Sequence, residues 1–344
     1  MADKVSEQQR TSPDAYSRHY IVAEIIRKVF SNKKINLLDV GGAGTYVDYF
    51  RGSSSPVKTV TVIDILPPPD KIEGIIYIRG DATKMTFADN QFDAVVSTDV
   101  FEHISDKAKD KFITECLRVA KDLVVVGAPF ESEEVTRAET LANDYYKKIT
   151  GKPHLWLNEH FELNKPRSEN VEAILAKGKY EYLKFSSNQI DSWLQSILLN
   201  FMKETNVLER PLVEQFNQFY NSHLDQMGDF KTPGYRSFYV VFKNKALTRG
   251  LGQLLPSAGG ALAKLDLEAM FLTRLADDRK QLTDQKNNLE ETANQNQVLT
   301  EQIGAVTEQI KEKIEIVKEL DEELFGVRSR RWYGLYTLLG GGRK

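Results

Sequence analysis

Short apolar runs alternate with helical stretches through the first half of the chain, and this alternation limits the fold more than any other feature. The runs cover residues 35–40, 59–65, 75–78, 92–97 and 123–127. Four of the five are rich in Val, Ile and Leu on both faces, which is typical of parallel strands covered by helices. Such alternation predicts an α/β fold with a doubly wound, mostly parallel sheet. A late run at 235–243 predicts a strand that closes the sheet.

Charge is distributed very unevenly along the chain. The formal net charge is −3, but residues 265–325 hold 7 basic and 15 acidic residues, and residues 326–344 hold 5 basic residues and no acidic one. Residues 1–264 are therefore neutral on average. We divide the chain into five parts. They are a tail with a capping helix (1–33), an α/β domain (34–245) with an insertion at about 131–210, a linker (246–264), a coiled coil (265–325) and a basic aromatic tail (326–344).

The acidic segment 265–325 has the apolar spacing of a coiled coil. One heptad register, from position 275 to position 324, is apolar at seven of eight successive positions, and Asn296 is the exception. The 61 residues would form a helix of about 90 Å, longer than the α/β domain is wide. We therefore expect a C-terminal α-helical coiled coil that joins a homo-oligomer. The alternative is one long amphipathic helix that lies on its own domain.

The chain lacks the features of several protein classes. Its single cysteine, Cys116, excludes an intrachain disulfide framework and a multi-cysteine zinc site. No apolar run is long enough to span a bilayer, and the N-terminus lacks the apolar core of a signal peptide. We therefore expect a cytoplasmic protein. Because the chain as a whole is not basic, we expect no nucleic-acid partner.

A glycine-rich turn follows the first predicted strand and leads into a helix. Asp39 stands at the end of the strand, and Gly41, Gly42 and Gly44 follow it. Glycines in such a turn let a ligand approach the backbone closely. The second predicted strand ends at Asp64, and an acid about 20 residues past the turn can hold the two hydroxyls of a ribose.

Two further predicted strands also end in polar residues. Asp81 and Ala82 follow the third strand, and Thr98 and Asp99 follow the fourth. A nicotinamide dinucleotide is the alternative ligand for the glycine-rich turn, but Val47 stands where that motif needs its third glycine.

Together these motifs resemble those of class I S-adenosylmethionine-dependent methyltransferases. The resemblance covers about residues 30–245 and is carried by LLDVGGAG, VTVIDI, GDATKMTFADNQFDAVVSTDVFEHI and LVVVGAPF, in the family's order and spacing. It implies a seven-stranded, Rossmann-like sheet that binds S-adenosyl-L-methionine at the carboxyl ends of the first strands. Ala43 departs from the family's pattern, because glycine is usual at its position.

The resemblance also implies which residues bind the cofactor. Asp39 and the glycines of the turn would surround the methionine part, Asp64 the ribose, and Asp81 with Ala82 the adenine. Thr98 and Asp99 would line the bottom of the cofactor site near the methyl group. The complete set is Asp39, Gly41, Gly42, Gly44, Asp64, Ile65, Asp81, Ala82, Thr98 and Asp99.

A hydroxyl acceptor benefits from a general base, and two segments offer one. The candidates are Asp99 and His103, just past the fourth strand, and His160 in the insertion. In related methyltransferases the Glu-His pair after this strand often packs against the cofactor, so a structural role remains open for His103. A structural hydrogen-bonding role remains open for His160. A zinc site from His154, Glu159 and His160 would be poorly spaced, and we predict no metal.

The insertion resembles that of bacterial methyltransferases which accompany glycosyltransferases in surface-polysaccharide synthesis. The segments LANDYYKKITGKPHLWLNEHFE and NQIDSWLQSILLNF carry this similarity. It implies a sugar hydroxyl or a terminal glycan phosphate as acceptor. The alternatives are a methyltransferase of a small molecule or lipid, and a catalytically silent scaffold organised by the coiled coil. The basic tail 326–344 suits contact with a glycosyltransferase or the inner membrane face, and the alternative is a frayed end.

Overall fold

The computed structural model describes residues 11–42, 49, 55–66, 74–248, 273, 280–283, 285 and 307–317. Seven strands form one sheet in the order β3-β2-β1-β4-β5-β7-β6. The first five strands run parallel, whereas β7 is antiparallel to both β5 and β6. The strands are β1 (Ile35–Val40), β2 (Val57–Asp64), β3 (Ile75–Arg79), β4 (Phe92–Thr98), β5 (Ala120–Ala128), β6 (Glu181–Gln189) and β7 (Gly234–Phe242).

Seven α-helices of the described residues surround this sheet. They are α1 (Pro13–Val29), α2 (Asp106–Val119), α3 (Glu133–Thr150), α4 (Leu155–Leu163), α5 (Ser168–Lys177), α6 (Ile190–Glu204) and α7 (Arg210–Ser222). A short 3-10 helix, Phe101–His103, follows β4. None of the helices among the described residues is long and apolar enough to cross a membrane.

Alternate residues of the central strands pack into two apolar layers, one on each face of the sheet. On one face Leu38 and Val95 pack with α2 and α5, and on the other Leu37 and Ala94 pack with α1. This arrangement follows from the period of two in a strand, which sends neighbouring side chains to opposite faces. The predicted α/β fold with a seven-stranded, mostly parallel sheet is confirmed.

The insertion after β5 builds a third apolar cluster beside the sheet. Helices α3, α6 and α7 contribute to it, with Trp193 and Tyr235 stacked at a centroid distance of 3.7 Å. Helix α3 begins the insertion, and Gly151 ends this helix in the left-handed conformation that favours glycine. Strand β6 was missed by the sequence patterns because its outer half is exposed and its sequence, EYLKFSSNQ, has few branched apolar residues.

The predicted coiled coil lies mostly outside the described residues. The described positions 273, 280–283, 285 and 307–317 are helical. Ile316 packs against the third cluster, and a cleft between 307–317 and the domain is lined by Tyr145 and Ile149 of α3 together with Val207. Positions 246–248 of the linker are described. The rest of the linker and the whole of the tail 326–344 lie outside the described residues.

Candidate functional site

The turn after β1 forms a tight backbone cradle around Asp39. The Asp39 side chain is fully buried at the end of β1. A Cβ on Gly42 would lie 1.8 Å from Asp39 Oδ2, and a Cβ on Gly41 would lie 2.4 Å from a methyl carbon of Val100. Gly41 also has a φ of +73°, which disfavours other residues. Only glycine fits at both positions. Gly44 lies outside the described residues.

The acids after β2 and β3 lie at neighbouring strand ends, as the parallel order requires. The Gly80 N–H donates to the Asp64 carbonyl oxygen at 2.8 Å and ties the two ends together. Asp64 Oδ1 accepts from the Leu66 N–H, also at 2.8 Å. Ile65 is exposed beside it, whereas Ala82 packs partly against the core.

Asp81 is held by its own loop. Its Oδ1 accepts from both the N–H and the hydroxyl of Thr83, each at 2.8 Å. The turn therefore uses one carboxylate oxygen of an otherwise exposed acid. Asp39, Asp64 and Asp81 thus stand at the carboxyl ends of three adjacent strands, and their roles toward a cofactor stay predictions.

Asp99 is locked into a buried ion-pair network. It follows Thr98 at the end of β4 with a φ of +55°, and its carboxylate accepts two hydrogen bonds from Arg236 of β7, each of 2.5 Å, and another from Arg18 of α1. Burial opposes ionisation of Asp99, but the two guanidinium groups hold its pKa well below the usual range. An acid with such a depressed pKa is a weak base, so this geometry favours a positioning role.

The cations of this network were not found from the sequence. Arg236 is almost fully buried, lies 2.8 Å from Asp14 of α1 and donates to Asn188 Oδ1 at 2.7 Å. The only signal in the sequence is an arginine within the apolar strand YRSFYVVFK, where a charge needs a buried partner.

The structure brings together the two histidines that the sequence named in separate segments. His103 ends the 3-10 helix after β4, and His160 lies on α4, yet their Nε2 atoms are 3.3 Å apart. His103 Nδ1 is 3.0 Å from Glu159 Oε2, and His160 Nδ1 is 2.8 Å from Glu139 Oε1. Each ring is therefore oriented by its own carboxylate.

A second layer of contacts fixes Glu139, which is fully buried on α3. The Tyr235 hydroxyl donates to its Oε1 at 2.9 Å, and Lys165 Nζ lies 2.8 Å from its Oε2. Burial disfavours the Glu139 carboxylate, but His160 and Lys165 lower its pKa overall. Burial, followed by the neighbouring His160, lowers the pKa of His103, so that its imidazole is neutral near pH 7.

Glu102 and Trp156 flank the histidine pair. Glu102 is 1% exposed, its Oε2 has no hydrogen-bond partner among the described residues, and burial next to Asp99 raises its pKa. Trp156 packs edge-on against His103 and remains 53% exposed. His154, by contrast, packs against Tyr146 and Phe201 and is not a member of the cluster formed by Glu102, His103 and His160.

Comparison with known families classifies one segment of the chain. Residues 38–125, which contain Asp39, Asp64, Asp81 and Asp99, match the methyltransferase domain family. This segment is a methyltransferase domain. The chain is a methyltransferase. None of the curated proteins compared with the chain matches it.

Solved structures of methyltransferases share a distant likeness with the chain. A phosphoethanolamine N-methyltransferase of Haemonchus contortus, in complex with phosphomonomethylethanolamine and S-adenosylhomocysteine, is 18% identical and has a TM-score of 0.40 over 67% of this chain and 53% of its own. A candidate sarcosine dimethylglycine methyltransferase of Galdieria sulphuraria is 14% identical, with a TM-score of 0.43 over 67% and 87%.

Proposed function

We propose that the enzyme transfers the methyl group of S-adenosyl-L-methionine to a hydroxyl oxygen of a sugar or glycan intermediate in surface-polysaccharide synthesis. The observation that carries this proposal is the imidazole pair of His103 and His160, in which His103 follows the end of β4. A hydroxyl is a poor nucleophile until its proton is removed, and a neutral imidazole is a suitable acceptor for that proton.

The proposed reaction is an in-line displacement. The acceptor oxygen attacks the methyl carbon, the carbon–sulfur bond breaks, and its electron pair stays on sulfur to give S-adenosylhomocysteine. The hydroxyl proton passes to an Nε2 atom of the histidine pair. Glu159 and Glu139, which face the Nδ1 atoms of His103 and His160, would stabilise the imidazolium that forms. Alignment of oxygen, carbon and sulfur supplies most of the remaining rate.

Exposed apolar side chains on α4 support a sugar acceptor. Trp156, Leu155 and Phe161 are all substantially exposed on this helix, although they are large apolar side chains. Because Trp156 also touches His103, a ring stacked on the indole would reach the imidazole pair. The resemblance of the insertion to polysaccharide-associated methyltransferases points to the same class of acceptor.

A turnover experiment tests this proposal. His103→Ala and His160→Ala should each lower the rate at saturating cofactor at least about 100-fold, the scale of general base catalysis, and leave cofactor affinity unchanged. His223→Ala is the matched control, because His223 lies in the turn after α7 and bonds the Phe219 carbonyl oxygen. A normal rate in either test variant would clear that histidine of a catalytic role.

Mass spectrometry identifies the acceptor. Glycans from cells that contain the protein should carry a methyl group that is absent from cells without it. A methylated small molecule or lipid in place of a glycan would support the alternative acceptor class. No binding of S-adenosyl-L-methionine at millimolar concentration, measured by calorimetry, would instead support the scaffold.

The proposed assembly concerns the C-terminal segments. We propose that residues 265–325 join copies of the chain and that residues 326–344 contact a glycosyltransferase or the inner membrane face. A chain truncated after Lys264 should have a lower oligomer number by light scattering. If the number is unchanged, the coiled coil does not join the copies.

A further inference from the structure

We propose that Glu102, His103 and His160 form a binding site for one divalent transition-metal ion of the zinc class. In the described part of the chain, one ligand atom from each of these residues lies within 4.8 Å of the others. Two imidazoles and one carboxylate, with a position left open, are a ligand set of catalytic zinc sites. The inference uses the proposed function only to give the open position a role.

The orientation of the two imidazoles is the first argument. Both Nδ1 atoms face carboxylate oxygens, which only accept, so each Nδ1 carries a proton. When both rings are neutral, each Nε2 is a lone pair, and the two lone pairs face each other across 3.3 Å. Two facing lone pairs repel unless a cation lies close to both.

The spacing is the second argument. Imidazole nitrogens bind zinc at about 2.0–2.1 Å, so two of them in a tetrahedral shell lie about 3.3–3.4 Å apart. The observed separation of 3.3 Å is this tetrahedral edge. It is longer than the usual 2.7–3.2 Å of a hydrogen bond from nitrogen, so a proton shared between the rings fits less well.

The surroundings of the pair are the third argument. Metal-binding histidines almost always donate their other N–H to a carboxylate or carbonyl, which fixes the ring and strengthens the ligand. His103 has Glu159 and His160 has Glu139 in this position, and Tyr235 and Lys165 hold Glu139 in turn.

Glu102 supplies the third ligand. Its side chain is 1% exposed, and its Oε2 has no hydrogen-bond partner among the described residues, although buried carboxyl oxygens are normally bonded. A carboxylate oxygen of Glu102 lies within 4.8 Å of the ligand atoms of the two histidines, and binding of an ion would draw these atoms closer together.

The site would deepen the proposed methyl transfer. An acceptor hydroxyl bound at the open position would lose its proton more easily, because a bound cation stabilises the alkoxide. With the metal bound, His103 and His160 would be ligands and no longer the base of the proposed reaction, and the proton would leave to solvent or buffer. The nitrogen ligands favour zinc-class ions over Mg²⁺, which prefers oxygen ligands only.

Cobalt absorption tests the site without any activity assay. The full-length protein is first stripped with a chelator and then titrated with Co²⁺, whose visible d–d band reports tetrahedral nitrogen and oxygen ligands. We expect one equivalent bound, displaced by Zn²⁺ and not by Mg²⁺. His103→Ala and His160→Ala should abolish the band, and Glu102→Gln should weaken Co²⁺ binding at least about 10–100-fold, the scale known for disturbed metal shells. His223→Ala should behave like the wild type.

Thermal unfolding distinguishes a variant that has lost metal binding from a variant that has lost its fold. Zn²⁺ should raise the Tm of the wild type and of His223→Ala and leave that of His160→Ala unchanged. No d–d band in the wild type, or a band that persists in His160→Ala, would overturn the metal site. Full methyl transfer in excess chelator would overturn the metal's catalytic role and leave the proposed function intact. A bound metal without methyl transfer would overturn the proposed function and leave the metal-binding site intact.

Discussion

The carboxyl edge of the sheet has two halves that are built in opposite ways. In the half formed by β2 and β3, Asp64 and Asp81 each accept from a residue only two positions along the chain. In the half beside β4, Asp99 binds Arg18 and Arg236, which are 81 and 137 positions away, and every partner is buried or half-buried. In the first half Asp81 is exposed and Asp64 is half-buried, whereas in the second half Asp99 joins distant segments.

This contrast teaches which acids can be exchanged without loss of the fold. An exposed acid in a local turn stabilises little beyond its loop, so its carboxylate is available for binding. A buried acid that neutralises an arginine is part of the structure, because removal of one partner leaves an uncompensated charge.

The largest effect is expected for Asp99→Asn. It removes one of the carboxylates that neutralise the buried Arg236, and loss of one partner of a buried pair costs about 3–5 kcal/mol. The free energy of unfolding, measured in urea, should fall by this amount. Asp110→Asn on the exposed face of α2 is the matched control and should change it by less than about 0.5 kcal/mol. Equal losses in the two variants would contradict the comparison.

Asp64→Ala should have the opposite signature. We expect the affinity for S-adenosyl-L-methionine to fall by about 1–3 kcal/mol, the scale of hydrogen bonds to a charged group, with little change in the free energy of unfolding. Calorimetric titration measures the first quantity and urea unfolding the second. Asp110→Ala serves as control for the loss of an exposed carboxylate. An unchanged affinity would refute the assignment of Asp64 to the ribose.

The same contrast explains what the sequence could predict. Asp39, Asp64 and Asp81 follow strands with strong apolar patterns, and the glycines between Asp39 and the next helix leave a local signature. For this reason the sequence was sufficient to predict the sheet, its parallel strands and the edge that carries these acids. Gly41 and Gly42 are required by close contacts with Val100 and Asp39, respectively.

The second half was out of reach because its contacts are not local. The sequence named His103 and His160, but nothing in their spacing predicts that residues 57 positions apart meet through Nε2. Glu139 and Tyr235 are separated by 96 positions and join helix α3 to strand β7. Only the packing of the insertion on the sheet brings these pairs together.

The pH dependence of stability sharpens the comparison further. Burial opposes the charge on Asp99, but Arg236 and Arg18 lower its pKa below the unfolded value of about 3.9. The native protein therefore binds fewer protons at Asp99 than the unfolded chain does. The contribution of Asp99 to the free energy of unfolding is complete above about pH 4 and is lost as the pH falls further. Its slope is at most about 1.4 kcal/mol per pH unit.

Urea unfolding from pH 7 into the acid range checks this slope. The free-energy difference between the wild type and Asp99→Asn should be constant above about pH 4 and should narrow below it. A difference that stays constant down to about pH 2 would show that the native and unfolded pKa of Asp99 are alike.

The smallest effect is expected where the helical segment 307–317 meets the insertion. Ile316 packs against the third apolar cluster, whereas Ile314 on the same segment is 46% exposed. Ile316→Ala should lower the free energy of unfolding by about 0.5–1 kcal/mol, since only part of the side chain is buried, and Ile314→Ala should leave it unchanged. Cofactor affinity should not change in either variant, because the contact lies on the insertion and not beside Asp64.

The contact of Ile316 also allows packing of the helix on its own domain to be distinguished from association of several copies of the chain. Ile316 is outside the heptad register that includes Ile310 and Val317, so one helix can present different residues to its own domain and to a second copy. Val317→Asp should lower the oligomer number by light scattering and spare the docking contact. If Ile316→Ala lowers the oligomer number instead, the face that docks on the domain is the one that joins the copies, and the predicted heptad seam is wrong.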